Sequence, residues 1–298
     1  MKRELKCMTA SKFMNCASNP PANILTVDVE DWYHGISRYV EVPSPKSRLQ
    51  YSLPIILDLL REYRAKATFF VLGEVAQNFP ELVERIVAEG HEVGCHGFSH
   101  RHLEEIGAVA FDEEIRKATR LLEEICGSPI LSFRAPIFSI TKSTFWGLKI
   151  IKKYGYIFDS SIFPTYHPFY GIPNEPRQPH YISFSNKNND LEDEIIEFPI
   201  LTRRFLNTNI PVGGGAYLRF LGQLLLANSV INMNTKGWPA TIYIHPWELD
   251  SFVPNVKFNP AIRFITFHNV GKTKRYLETL LRTFKFISIR DFCRGDVT

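Results

Sequence analysis

From Ile24 onward, short runs dense in Val, Ile and Phe alternate with longer stretches whose apolar residues recur every three or four positions. The short runs are ILTVDV (24–29), KATFFVL (66–72), HEVGC (91–95), ILSFR (130–134), YIFDS (156–160), EIIEFPI (194–200), ATIYIH (240–245) and KFISI (285–289). Most are too apolar for strands with one wet face. They predict strands covered on both faces, as in a parallel sheet.

The stretches between them predict amphipathic helices. In 53–63, Leu53, Ile56, Leu57 and Leu60 fall on one stripe. The helix at 80–89 opens on Pro80 and stops at Gly90, which follows the usual terminal asymmetry. Asp112 is expected to cap a helix running to Cys126, with Gly127 at its end, and Thr141 to cap one ending near Gly155. Two more are expected over 216–230 and 270–283. Strand–helix alternation of this kind implies a parallel α/β fold with right-handed crossovers, and seven or eight units suit a barrel better than two open sheets. Residues 1–23 read as a flexible tail and 24–298 as a single catalytic domain. Two stretches break the rhythm, the proline- and aromatic-rich 162–193 and the loop-like 246–268, and both are expected to form lids.

Composition narrows the class. The formal charge of +4 is spread along the chain without a dense basic run, so nucleic acid is not an expected partner. Five cysteines, an odd number with no C-x-x-C pair, point to a reducing compartment. The N-terminal 21 residues lack a continuous apolar segment, and no stretch is long and apolar enough for a transmembrane helix, so a cytoplasmic location is expected. A homo-oligomer is left open.

The chemistry gathers at strand ends. His96-Gly-Phe-Ser-His100 follows HEVGC, and on one helical turn two histidines at this spacing would converge on a single ion. Nine histidines produce such a pair by chance in roughly a quarter of chains, so the pair gains weight only from its company. That company is Asp28-Val29-Glu30-Asp31 at the end of the first apolar strand, where uncompensated carboxylates would be costly. A carboxylate from this group would complete a His₂-carboxylate site with positions left open for water and substrate. His245, Arg134 and Asp159 end three further strands, and active sites of parallel α/β folds lie at such ends. Cys95 is expected to face the core, His91, His102, His167, His180 and His268 to be surface or loop histidines, and Gly213–Gly215 to mark close backbone approach or a helix entry.

TVDVEDW (26–32), HGFSH (96–100), FRAP (133–136), YIFDSS (156–161) and YIHP (243–246) resemble, in order, the five motifs of the NodB-homology polysaccharide deacetylases, carbohydrate esterase family 4. The wording DVEDWYHG, GGGAYLRF and HPWELD further resembles the branch associated with PEP-CTERM/exosortase exopolysaccharide loci. The resemblance implies a distorted (β/α)₇ barrel and a metal-dependent hydrolase, with Zn²⁺ or another divalent ion as cofactor, that removes N-acetyl groups from an amino-sugar-containing saccharide. Asp28 would be the base acting with a metal-activated water, His96 and His100 metal ligands, Arg134 the partner of the base, His245 the acid, and Asp159 a supporting residue. Two departures matter. The family's adjacent aspartates are here Asp-Val-Glu-Asp: strand alternation favours Glu30 as third ligand, whereas shorter reach and the usual ligand type favour Asp31, to which the sequence reading leans. Ile137 replaces the familiar aromatic after Pro136, although a backbone N–H there could still serve an oxyanion. Two other readings of the scaffold are a ureide or cyclic-imide amidohydrolase and a catalytically silent glycan-binding barrel; the retained Asp28 speaks against the second.

Overall fold

The computed structural model describes residues 21–36, 42, 45–184, 194–254 and 259–295. The N-terminal tail with Cys7 and Cys16, and most of the polar run expected within a lid (185–193), lie outside the described residues.

All eight expected strands form: β1 (Asn23–Val29), β2 (Thr68–Val71), β3 (Glu92–Cys95), β4 (Ser132–Phe133), β5 (Phe158–Asp159), β7 (Glu194–Glu197), β10 (Thr241–Ile244) and β11 (Phe286–Ile287). Seven are parallel neighbours in the order β10-β1-β2-β3-β4-β5-β7, with β11 alongside the start of β1. A strand not anticipated, β6 (His180–Ser183), pairs antiparallel outside β7, and a separate hairpin joins β8 (Thr202–Phe205) to β9 (Thr208–Pro211). The result is the expected α/β fold with a curled parallel sheet.

Closure is where the barrel is distorted. Beyond β7 the chain meets β10 through an isolated bridge, Ile200 to Thr241, with Leu201 N–H donating to Thr241 O at 2.9 Å. Pro199 has no N–H with which to extend a ladder. A second bridge joins Gly214 to Tyr243, and Tyr243 N–H donates to Gly213 O at 2.9 Å. Gly214 has φ +148°, and a Cβ there would lie 1.8 Å from Tyr243 O. The triple glycine therefore serves close approach to β10 and entry to the next helix.

Strand parity positions the site. Leu25, Val27 and Val29 point outward into the core shared with the helices, whereas Ile24 joins an inner cluster with Phe70, Phe158 and Phe198 at the base of the curl. Thr26 and Asp28 continue the inward row, so the interior changes from apolar to polar as β1 approaches its carboxyl end.

Helix α1 (Leu49–Glu62) begins earlier than expected and carries Pro54 near its start; α2 (Gly73–Asn78) is short, and α3 (Pro80–Ala88) opens on Pro80 as read. Two expected caps are corrected. Helix α4 runs from Leu103 to Cys126, capped by the His102 side chain and broken at Gly107 (φ 73°). Asp112 thus sits within it and pairs with Lys153 on the surface. Thr141 closes a turn with Thr144, and α5 (Trp146–Lys153) starts beyond it from Phe145 without a side-chain cap. Helix α6 (Gly215–Asn234), kinked at Gly222, and α8 (Thr273–Thr283) match expectation. The stretch 246–268 is not loop throughout: it holds a 3-10 turn, Pro246–Leu249, and helix α7 (Pro260–Phe267). Helix α9 (Ile289–Arg294) ends the described chain. Among the described residues, no helix is long and apolar enough to cross a membrane.

Candidate active site

Asp28 sits at the end of the inward row of β1, and its Oδ1 lies 2.7 Å from Nη1 of Arg134, at the end of β4. Arg134 is fully buried. It also donates to Thr26 Oγ1 (2.8 Å), Ser160 O (2.9 Å) and Ser160 Oγ (2.6 Å), and its guanidinium lies over the Phe70 ring. The Asp28 carboxylate, the Thr26 hydroxyl and two oxygens of Ser160 fix this cation, so the orientation of Asp28 is over-determined.

Glu30 keeps the inward parity of Asp28 although the β1 ladder ends at Val29. Its Oε2 lies 2.5 Å from His100 Nε2 and 4.0 Å from His96 Nε2, and these three buried groups could hold a metal ion. The histidines do not lie on a helical turn, as their spacing suggested. Residues 96–100 form an irregular loop in which Gly97 (φ 78°) and His100 (φ 54°) take left-handed backbone. His96 is aimed by its own donation from Nδ1 to Arg134 O (2.9 Å), which leaves Nε2 toward Glu30. Burial holds the His96 pKa down at about 4, so the ring is neutral at ordinary pH and able to ligate. For Glu30, burial acts upward, but His100 and His245 outweigh it and the carboxyl stays well below the usual range.

Asp31, toward which the sequence leans, lies outside this group. Its Oδ1 accepts from Arg48 N–H at 2.7 Å, and Arg48 in turn pairs with Asp250 at 2.8 Å. Asp31 therefore ties the turn after β1 to the start of α1. His34 shapes the same turn by accepting from Asp31 N–H at 2.8 Å.

His245, at the end of β10, faces the carboxylates from the other side. Its Nε2 lies 3.4 Å from Glu30 Oε1 and 4.0 Å from Asp28 Oδ2. Glu248 Oε2 accepts from the His245 backbone N–H (3.1 Å) and from Nδ1 (2.9 Å), which leaves Nε2 toward the cavity. Glu248 Oε1 in turn lies 3.1 Å from Nη1 of Arg219, a buried α6 residue that also donates to Thr266 O at 3.0 Å. Burial depresses the His245 pKa, but Glu248 first, then Glu30, lift it to about 9.

Glu248 and Arg219 carry no functional role in the sequence reading, yet each left a signal. Glu248 stands three residues after His245 across a proline, in the position of a capping-box acid. Arg219 is the sole charged residue among the 20 of α6, and a lone charge in an apolar helix implies a buried partner.

Asp159 is not at the cavity. It is fully buried, accepts from Ser161 Oγ at 2.5 Å, and Ser161 Oγ in turn accepts from Ala135 N–H at 2.8 Å. The contact braces the FRAP turn from behind. Burial raises both Asp159 and its neighbour Glu197. The next residues of that turn, Ile137 (φ 57°) and Phe138 (φ 52°), hold left-handed backbone at the cavity wall, a costly conformation for a β-branched side chain. Cys95 packs in the outer core, away from the Glu30–His96–His100 group, and burial pushes its thiol up to about 11.

These groups open into a cavity of about 480 Å³ whose walls include the aromatic side chains Trp32, Tyr170, Tyr217, Tyr243 and Trp247. Part of the first expected lid contributes. His102 Nε2 meets Phe169 O at 2.9 Å, and His167, stacked on Tyr170, lines the cavity and is no mere surface histidine.

Residues 47–158 match the family described as Polysaccharide deacetylase, and residues 160–294 match a domain of unknown function, DUF3473. Among curated proteins, the chain is 38% identical over 90 residues to a peptidoglycan-N-acetylglucosamine deacetylase of Bacillus cereus, covering 30% of this chain and 33% of that one. It is 40% identical over 76 residues to a chitooligosaccharide deacetylase of Bradyrhizobium, covering 26% and 35%. The chain thus spans about a third of these relatives' length. Among solved structures it resembles a putative polysaccharide deacetylase from Mycobacterium smegmatis, with a TM-score of 0.60, 17% identity, and 92% and 90% coverage. It also resembles Puue allantoinase, with a TM-score of 0.59, 15% identity, and 97% of both chains covered. These two show a shared fold. The matched segments meet at one cavity: His96 and His100 come from the first, Arg219, His245 and Glu248 from the second, while Asp28 and Glu30 precede both. Residues 47–158 thus match a polysaccharide deacetylase domain, of the NodB, carbohydrate esterase family 4, type.

Proposed function

We propose that this protein is a metal-dependent hydrolase that removes the N-acetyl group from an amino sugar in a saccharide, and that residues 24–298 act as one catalytic domain. The observation that carries the reading is the convergence, at one end of an aromatic cavity, of a Glu30–His96–His100 donor set between Asp28 and His245. The names of the curated relatives support the same reaction class.

The donor set fits a divalent cation such as Zn²⁺. It consists of two imidazoles and one carboxylate, all buried, with His96 fixed from behind and open cavity on the remaining side. A cation held there would supply Lewis-acid polarisation of the substrate carbonyl and acidify coordinated water toward a pKa of ~7. Asp28, oriented by Arg134, takes the proton from the attacking water. The strained turn at Ile137 offers a backbone N–H to the developing oxyanion. His245, held by Glu248 with Nε2 toward the cavity, gives a proton to the departing amine, which is a poor leaving group unless protonated. The aromatic walls suit the faces of a sugar ring.

An exopolysaccharide or its precursor is the saccharide we favour, on the resemblance of DVEDWYHG and HPWELD to the exosortase-associated branch, and a cytoplasmic site of action on the cysteine pattern. The test is acetate release from N-acetylglucosamine oligosaccharides by purified protein, with and without Zn²⁺, together with elemental analysis. Absence of metal from fresh protein and no gain on adding any divalent ion would overturn the metal assignment. Absence of acetate from metal-loaded protein across a panel of N-acetylated saccharides would overturn the reaction.

A further inference from the structure

One side of the cavity mouth is apolar and continues onto the surface. Phe220 of α6 and Ile265 of α7 both line the cavity, yet are 42% and 55% exposed. Phe264 (56%) packs on Phe220, Leu221 (42%) follows it in sequence, and Leu224 (75%) is exposed just past the kink at Gly222. The patch is contiguous at its centre: the Phe220 and Phe264 rings are 5.7 Å apart, and His268 packs against both. Helix α6 presents no charge outward, since its one charged residue, Arg219, turns in to Glu248. Single exposed apolar side chains are ordinary, but a contiguous apolar patch at the rim of a cavity, here flanked on α7 by the exposed Arg263, marks a binding surface.

The chemistry of the patch says what it binds. A sugar ring is held by hydrogen bonds and by stacking on flat aromatic faces, and Leu221, Leu224 and Ile265 provide neither. Their partner is hydrocarbon. Because Phe220 and Ile265 belong to the cavity as well as to the patch, a group attached to a sugar seated inside leaves directly over them.

We propose that the substrate is an amphiphilic glycoside: an N-acetylated amino sugar joined to a hydrocarbon chain, the chain lying on Phe220, Leu221, Leu224, Phe264 and Ile265. This rests on the deacetylase reading above and adds the substrate class. The hydrocarbon is the substrate's own, which separates the proposal from docking of a second copy of the chain.

The experiment compares octyl and methyl N-acetyl-β-glucosaminides, the octyl compound below its critical micelle concentration, with Zn²⁺-loaded full-length protein. Acetate release gives kcat/KM for each, and calorimetric titration gives each Kd. Covering a methylene is worth roughly fourfold, so a chain that covers even two should favour the octyl compound by about tenfold or more in kcat/KM and in affinity. In the variant Leu221→Ser/Leu224→Ser/Phe264→Ser the octyl-to-methyl ratio should fall close to one; Leu224→Ser alone should lower it if the triple variant loses its circular-dichroism signal. A wild-type ratio near one overturns the proposal, as does a ratio that survives the substitutions. Sedimentation showing a wild-type dimer that the triple variant reduces to monomer also overturns it. If neither glycoside releases acetate, the deacetylase reading fails separately, and the Kd ratio alone decides the apolar rim.

Discussion

Consider removing the charge of Glu248 while keeping its shape. In the protein without a bound cation, the His245 pKa stands at about 9 against an ordinary 6.5, which corresponds to about 3 kcal/mol in favour of the imidazolium. Burial opposes that form, so the neighbouring carboxylates supply more than this figure. Glu248 is the strongest of them, ahead of Glu30 and Asp28. Its loss is expected to lower the His245 pKa, and with it the imidazolium population on the alkaline side. A cation at Glu30 displaces both profiles to lower pH but leaves their separation in place. The single variant Glu248→Gln also strands Arg219, buried with a side chain only 2% exposed, and a lone buried charge costs about 3–5 kcal/mol. We therefore pair it with Arg219→Met. The assay is the pH dependence of kcat for acetate release, with melting temperature measured in parallel. Glu248→Gln should melt roughly 6–15 °C lower and lose its basic limb early. The double variant should recover most of the melting temperature and still lose the limb early. A double variant with restored stability and an unmoved basic limb would refute the reasoning, because either His245 is not the acid or Glu248 does not set its protonation.

Three further outcomes are expected. His96→Ala, His100→Ala and Glu30→Gln should each abolish metal in elemental analysis while Asp31→Asn retains it; the reverse result for Glu30 and Asp31 would restore the sequence's first leaning. Asp28→Asn should keep the metal and lose about 10²–10⁴ in kcat, since it removes a proton acceptor. In metal-free protein, His245 has a raised pKa, so its stabilisation is complete below pH 6.5 and is lost as pH rises through about 9. His96, depressed to about 4, acts oppositely, and stability falls as pH drops from 6.5 toward 4. Melting temperature should thus peak near pH 6.5, and His245→Ala should flatten the alkaline side.

Much of the site is legible along the chain because strands alternate and parallel folds expose their carboxyl ends. Runs such as TFFV and TIYI are buried on both faces, so apolar runs between amphipathic helices announce the parallel sheet, and the polar residues that end those runs announce its active rim. The helix caps misled at Asp112 and Thr141 because a kink at Gly107 and a turn at 141–144 moved the true starts, and a capping residue type does not say whether the chain has already turned. The hairpin β8–β9 and strand β6 escaped for a similar reason. Segments such as TRRF and TNIP carry no apolar alternation, and their pairing depends on what the fold places beside them.

The sequence by itself determined which residues could do chemistry, in what order the strands deliver them, and that Asp28 and Glu30 share a face. Tertiary structure alone decided which carboxylate joins the histidines. Glu30 keeps its inward direction past the end of the ladder, while Asp31 is taken by Arg48, a residue 17 positions on. It also decided that His245 answers to Arg219, through a Glu248 whose other oxygen that arginine holds. Parity and composition are properties of neighbouring residues and can be read along a chain. Partnership between buried charges is set by where helices and strands dock, and no spacing encodes that.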